Sequence, residues 1–336
     1  MRTIPLTRAA TLLPHARFLE SIGAPIERGL EREHIPPGAL DDPDCLIPTR
    51  SNWAFIGHMA RDQAVEDLGV RVAMEHAAEV MSGPLAARLH QAPTLRRAIN
   101  VFNDLCHRES SGMRTWLVPA GSTATYRLHK TFGPETPGFA ETEWLGLAAM
   151  IHVVQIFLGP EWQPKRIALR AANALPTIAR EIFPQTTIST GAEFSGFDLP
   201  AAELARGLPL SQREASSAPP LGQEPARTLA GTLRQLLPTY LQDGYLHVDL
   251  AAELVGTSSR SLQRALRASG TSYSALIEEV RGSEAIKLLA ESDLTSIEIA
   301  RTLGYRDASN FARAFRRVAG VSPENFRDGA RYTEAS

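Results

Sequence analysis

The chain has 336 residues, 43% of them hydrophobic and 21% charged, with a formal net charge of −2 at pH 7. That length exceeds what one core normally supports, so two domains are expected. The near-neutral balance excludes a generic polycationic nucleic-acid coat, although it leaves room for a local basic face.

Only Cys45 and Cys106 occur, which excludes a disulfide framework and fits a reducing cytoplasm. Cys106 is followed by His107 and Arg108, which could lower its pKa, but sequence neighbours on a helix point to different faces. The N-terminal stretch MRTIPLTRAATLLPHARFLE lacks the compact apolar core of a signal peptide. The most apolar run, Leu145 to Leu158, is too short to span a bilayer, so no membrane partner is expected and the location is read as cytoplasmic.

In chain order, apolar spacing with Pro and Gly punctuation predicts helices near 6–21, 24–33, 48–63, 84–90, 93–109 and 140–158. Strand-like runs follow at 114–120, 123–130, 166–170, 186–190 and 193–199. Their order predicts an α+β N-terminal domain with a helical first half and a small, mostly antiparallel sheet. The apolar run Leu145 to Leu158 reads as a buried helix. No chemistry announces itself here. The nine histidines, among them His58, His76, His90, His107, His129 and His152, show no metal-ligand spacing, and no Cys-x-x-Cys pair occurs. Ser51, Ser82, Ser110 and Ser111 lack a nucleophile-elbow context. Trp53, Trp116, Trp144 and Trp162, with Phe55, Phe102 and Phe157, are either plain core or the walls of an apolar pocket. No catalytic residue, metal site or cofactor is expected, and no ligand-binding residue is assigned.

From Pro209 to Pro225 the chain reads PLSQREASSAPPLGQEP, polar and without an apolar period. Domain bounds are therefore set at 1–207, a linker at 208–226, and 227–332. The next helix, Arg227 to Leu241, places Leu229, Leu233, Leu236 and Leu237 on one side, with Pro238 able to kink or end it.

Two copies of one pattern then follow, DLAAELVGTSSRSLQRALR (249–267) and SIEIARTLGYRDASNFARAFR (296–316). Ala252 matches Ala300 and Gly256 matches Gly304. After one extra residue in the second turn, Arg264 matches Arg313. Each copy reads as two short helices across a tight turn. In the first, Leu250, Ala251, Leu254 and Val255 give an apolar face, Gly256 ends the helix, and Thr257, Ser258 and Ser259 offer oxygens to the next one. In the second, Ile297, Ile299, Ala300 and Leu303 are expected to bury, with Phe311 and Phe315 as anchors. Arg260, Gln263 and Arg264 of the first copy and Ser309, Asn310, Ala312 and Arg313 of the second are expected to meet base edges of double-stranded DNA. Ser258, Ser259, Arg267, Arg306, Arg316 and Arg317 are expected to meet phosphates. The segment Tyr273 to Glu291 can join the copies: about nineteen residues at 1.5 Å give roughly 28 Å, near the ~34 Å between successive major grooves. Gly282 in its middle costs about 1 kcal/mol against alanine and could let it bend.

With its Phe311/Phe315 pair, Arg313, Gly320, Ser322-Pro323 and Phe326, the segment Gly304 to Arg327 resembles the signature of the AraC/XylS family of bacterial transcription regulators. The resemblance covers about 227–330 and implies an all-α DNA-binding domain with two helix-turn-helix units entering successive major grooves. GAPIERGLE (23–31), DDPDCLIP (41–48), PTLRRAI (93–99) and LGPEWQP (158–164) resemble the N-terminal domain of the branch that includes ornithine-utilisation-type regulators. The predicted sheet is too small for the double-stranded β-barrel of the sugar-sensing members, so a sugar ligand is not implied. What is implied is a sequence-specific, ligand-responsive regulator and not an enzyme: an activator, with RNA polymerase, a small-molecule effector and a second copy of itself as partners. An enzymatic or substrate-handling domain fused to a DNA-binding module, and a ligand-independent DNA-binding dimer, stand as alternatives.

Overall fold

The computed structural model describes residues 3–173, 175–208, 218–241 and 247–334. Two compact units emerge: Pro5–Ile35 with Ala39–Pro225, and Ala226–Ser336 with Met1–Ile4 and Pro36–Gly38.

The larger unit begins with β1 (Leu6–Arg8), a 3-10 turn, α1 (Leu13–Ser21), α2 (Ile26–Arg32), β2 (Leu46–Pro48), α3 (Thr49–Asp62), α4 (Leu68–Glu75), α5 (Gly83–His90) and α6 (Leu95–Glu109). The helix expected from residue 6 therefore starts only at Leu13. Residues 6–8 are instead drawn into an antiparallel ladder with β2, Leu6 opposite Pro48 and Arg8 opposite Leu46. α4 was not foreseen, nor was the short α8 named below.

The second half of this unit supplies β3 (Met113–Ala120), β4 (Thr123–Lys130), α7 (Phe139–Leu158), β5 (Arg166–Ala168), α8 (Thr177–Ile182), β6 (Thr187–Ser189) and β7 (Ser195–Pro200). The five longer-range strands form one sheet in the order β3-β4-β7-β5-β6, antiparallel except for the β5–β6 pair. α7 is apolar around its circumference and so packs on several partners at once, α3, α4, α6 and β7. Its one deeply buried acid, Glu143, accepts hydrogen bonds from the backbone N–H of Arg170 (2.7 Å) and Ala171 (3.2 Å) and from the Ser195 hydroxyl. In β4 the strand alternation sends Ala124, Tyr126, Leu128 and Lys130 to the buried face.

Part of the expected linker, 209–217, lies outside the described residues. Its remainder is held by polar contacts rather than left undocked: Arg88 donates to the Pro219 carbonyl (2.8 Å), Arg108 to the Gly222 carbonyl (2.5 Å), and His107 and Arg108 both meet the Glu224 carboxylate.

The smaller unit is all helical: α9 (Leu229–Leu241), α10 (Val248–Leu254), α11 (Ser259–Ala268), α12 (Tyr273–Glu291), α13 (Ser296–Thr302), α14 (Ala308–Ala319) and α15 (Pro323–Glu334). Pro238 neither ends nor interrupts α9, which runs to Leu241. α10 with α11 and α13 with α14 are the two helix-turn-helix copies, and their turns pass through Gly256 (φ +67°) and Gly304 (φ +69°), a left-handed conformation that favours glycine. α12 is continuous through Gly282. A Cβ at Gly282 would lie 3.1 Å from Val318 Cγ1, so this glycine lets α14 approach α12 closely. Among the described residues, no helix is long and apolar enough to cross a membrane.

Candidate nucleic-acid interface

The first reading helix, α11, is anchored by Leu262 and Leu266, both fully buried, which leaves the opposite face outward. Arg260, Arg264 and Arg267 are exposed there and Gln263 is half-buried. No ion pair holds these arginines among the described residues. Ser258 caps the helix, its hydroxyl oxygen accepting from the Ser261 N–H at 3.3 Å, and the Ser259 hydroxyl donates to Asp249 of α10. Both serines sit at the helix start, where a phosphate would find free N–H groups. Within α10, burial centres on Ala251 and Ala252; Leu250, Leu254 and Val255 are only half-buried, short of the expected apolar face.

The second reading helix, α14, is fixed from inside by a row of rings. Tyr305, Phe311, Phe315 and Phe326 succeed one another at centroid distances of 5.6, 5.9 and 5.5 Å. Arg281 of α12 braces the preceding turn, donating to the Gly304 carbonyl (3.2 Å) and lying 5.0 Å over the Tyr305 ring. On the outside the polar groups are linked to one another. Asp307 caps the helix by accepting from the Asn310 N–H (2.7 Å), its other oxygen accepts from Asn310 Nδ2 (2.8 Å), and Asn310 Oδ1 accepts from Arg313 (2.6 Å). Ser309 is exposed and Ala312 half-buried. Arg306 and Arg316 are exposed, and Arg317 pairs with Glu278 of α12 at 2.5 Å.

One expectation in this copy fails. Ile297 is 71% exposed, whereas Ile299, Ala300 and Leu303 bury as expected. At 100° per residue Ile297 lies about 200° round the helix from Ile299, so a two-turn helix cannot bury both on one face. With Ile286, Val318 and Val321 also exposed, this unit carries apolar surface beyond its own core.

In the larger unit the aromatic residues divide. Trp53 and Phe102 line a cavity, Trp144 and Phe55 border two separate clefts, Phe157 is core, and Trp116 is 37% exposed on β3. Burial pushes the Cys106 thiol up to about 11, so His107 and Arg108 do not activate it; both turn instead to Glu224. No group of three His, Cys, Asp or Glu side chains suited to a metal ion occurs among the described residues. What the sequence reading missed is Lys130, buried on the inner face of β4. Its signal was present in TATYRLHK, where the period-2 alternation assigns Lys130 to the same face as Tyr126 and Leu128.

Two family models match the chain: a helix-turn-helix domain over residues 251–329, and the arabinose-binding domain of AraC transcription regulator, N-terminal, over residues 23–208. The HTH-type transcriptional regulator VirS of Mycobacterium tuberculosis is 25% identical, covering 96% of each chain. The ornithine utilization regulator of Pseudomonas aeruginosa is 41% identical over 81 residues, 24% of each chain. The crystal structure of transcriptional regulator CdpR from Pseudomonas aeruginosa aligns over 90% of this chain and 96% of that one, at 22% identity and a TM-score of 0.42. The chain belongs to the AraC family of transcription regulators, with a ligand-binding type of N-terminal domain and a double helix-turn-helix domain that binds DNA.

Proposed function

We propose that this protein is a cytoplasmic, effector-responsive activator: residues 1–207 sense a small molecule and self-associate, 208–226 link, and 227–332 read duplex DNA and assist RNA polymerase. The observation that carries the DNA half is the set of exposed, unpaired arginines on α11 beside the internally linked Asp307, Asn310 and Arg313 of α14. Arginine and asparagine are residue types that pair with guanine, adenine and phosphate, and Asp307 holds the asparagine in place. Arg260, Gln263 and Arg264 would read bases in one groove and Ser309, Asn310, Ala312 and Arg313 in the next. Ser258, Ser259, Arg267, Arg306, Arg316 and Arg317 would meet the backbone. No catalytic role is proposed for any residue.

Self-association through the N-terminal unit is supported by β3, an eight-residue edge strand carrying the exposed Trp116. The exposed Ile297, Val318 and Val321 make the DNA-binding unit the competing candidate for that contact.

The test is selection of random duplexes by the whole protein, followed by in vitro transcription from the selected site with and without candidate effectors. One enriched asymmetric sequence and effector-dependent transcription are expected. No enrichment over bulk DNA would overturn the base-reading assignment, and repression from the selected site would overturn activation. A monomeric 1–207 fragment beside a dimeric full chain would relocate the dimer contact.

A further inference from the structure

Between α3, α6, α7 and the end of β4 lies a cavity of about 60 Å³, walled by Trp53, Met81, Phe102, Met113, Leu145 and Ala149. At roughly 10–15 Å³ per water-sized group it holds about four to six non-hydrogen atoms. Six polar side chains on its lining are more than nine-tenths buried, and three of them have unused capacity. Lys130 Nζ donates to the Thr142 carbonyl and lies 4.6 Å from the Trp53 ring centre, which leaves two of its three N–H groups, and no carboxylate pairs with it among the described residues. The Thr49 hydroxyl has no partner, nor does Asn52 Oδ1.

The orientation of Asn52 follows from its neighbour. Thr11 gives its hydroxyl proton to the Arg8 carbonyl (2.8 Å), so it can only accept from Asn52, which must present Nδ2 to it (2.9 Å). The acceptor oxygen of Asn52 is thereby left over. The acid on the rim is already satisfied: Glu109 receives Arg8 at 2.6 Å and the Ser82 N–H and hydroxyl at 3.1 and 2.5 Å. Burial pushes the Lys130 ammonium down to about 7, with Glu143 opposing the shift from a distance. A buried ammonium lacking a counter-ion and buried oxygens lacking partners are costly, and an anion of suitable shape would relieve both.

Resting on the reading of this domain as an effector sensor, we propose that the cavity is the effector site and takes a small hydroxy acid, its carboxylate accepting from Lys130 and Thr49 and its hydroxyl donating to Asn52. An amino acid suits the site less, because its ammonium would stand beside Lys130. The apolar wall accommodates the few carbons between the two polar ends.

The experiment uses the full chain with glycolate, lactate and 3-hydroxypropionate, with propionate and 1,2-propanediol as controls, followed by calorimetry and thermal melting. At about a hundred times its Kd, the best hydroxy acid should raise Tm by roughly 5–10 °C. Propionate should bind about ten-fold more weakly, and the uncharged diol should not bind. Lys130→Met, which removes a buried charge and keeps an apolar stem, should abolish binding of every acid. Asn52→Leu should equalise lactate and propionate, a selectivity change that general loosening of the fold does not produce.

Equal binding of lactate and the diol, unchanged acid binding by Lys130→Met, or no response to any of the three hydroxy acids would overturn the site. A different compound stabilising the wild type and Lys130→Met alike would overturn the site while leaving effector sensing intact. Lactate binding that requires Lys130 yet changes neither DNA affinity nor transcription would keep the site and remove the effector reading.

Discussion

Arg317 of the second reading helix is paired with Glu278 of the connecting helix at 2.5 Å, while its neighbour Arg316 stands exposed without an ion pair among the described residues. Two adjacent arginines thus begin from different electrostatic states. Both are expected to meet phosphate, and each phosphate neutralised contributes about 0.9 to the salt slope of binding. Arg316→Ala should therefore lower the slope by about one, and Arg317→Ala by clearly less, because Glu278 already offsets part of its charge. Affinities on cognate and scrambled duplexes at several salt concentrations measure this; equal slope changes would remove the distinction.

Arg264, the proposed base reader, is exposed on α11 and has no ion pair among the described residues. A bidentate arginine–guanine contact discriminates by roughly 1–3 kcal/mol. Arg264→Ala should weaken the selected site by that amount, relax preference at one position and leave Tm unchanged. Equal losses on both duplexes would reassign Arg264 to the backbone.

Gly282 and Val318 should behave as a coupled pair. Alanine at a helix interior normally gains about 1 kcal/mol over glycine. Here the new Cβ would sit 3.1 Å from Val318 Cγ1, tighter than ordinary contact, so Gly282→Ala alone should gain less than that. In a Val318→Ala background the full gain should return. Denaturant midpoints for the four combinations give the coupling directly, and additivity would show that the approach of α14 to α12 does not limit position 282.

His15 is fully buried, and burial lowers its pKa to about 4, against an ordinary value of 6.5. Between pH 6.5 and 4 the unfolded chain therefore binds a proton that the folded chain refuses, so stability falls as pH drops through that window. The loss from this residue approaches about 3 kcal/mol. His152 and His129, whose pKa values are also lowered by burial, act in the same direction. His15→Leu should flatten the acid limb of a Tm-against-pH curve, and an unaltered limb would refute the assignment.

The helix-turn-helix copies were legible because their determinants are local. A glycine at the turn, a small residue at the helix crossing and two large apolar residues four apart recur in both copies, and Gly256 with Leu262 and Leu266, and Gly304 with Phe311 and Phe315, stand where that pattern places them. The strands at 113–120 and 123–130 were legible for a similar reason, each being long enough to display alternation. β1 and β2, three residues each, have no period to display; their pairing joins positions some forty residues apart and is decided by packing. Ile297 misled because a short apolar cluster was read as a single face. The linking of Asp307, Asn310 and Arg313, and the cavity around Lys130, depend on side-chain direction and on which partners remain unused. Composition and spacing do not carry that information.

The smaller unit hangs its two readers from different supports. α11 packs on α10 and α9, α13 and α14 pack on α12, and α9 meets α12 along a seam that includes the Arg234–Glu279 pair at 2.8 Å. If α11 and α14 read the DNA, this seam sets the distance between them. Changes on the outer face of one reader would retune the letters it prefers without altering the distance to the other, whereas a change within the seam would alter the permitted spacing and leave both alphabets intact. Spelling and spacing of the target could then drift separately over evolutionary time.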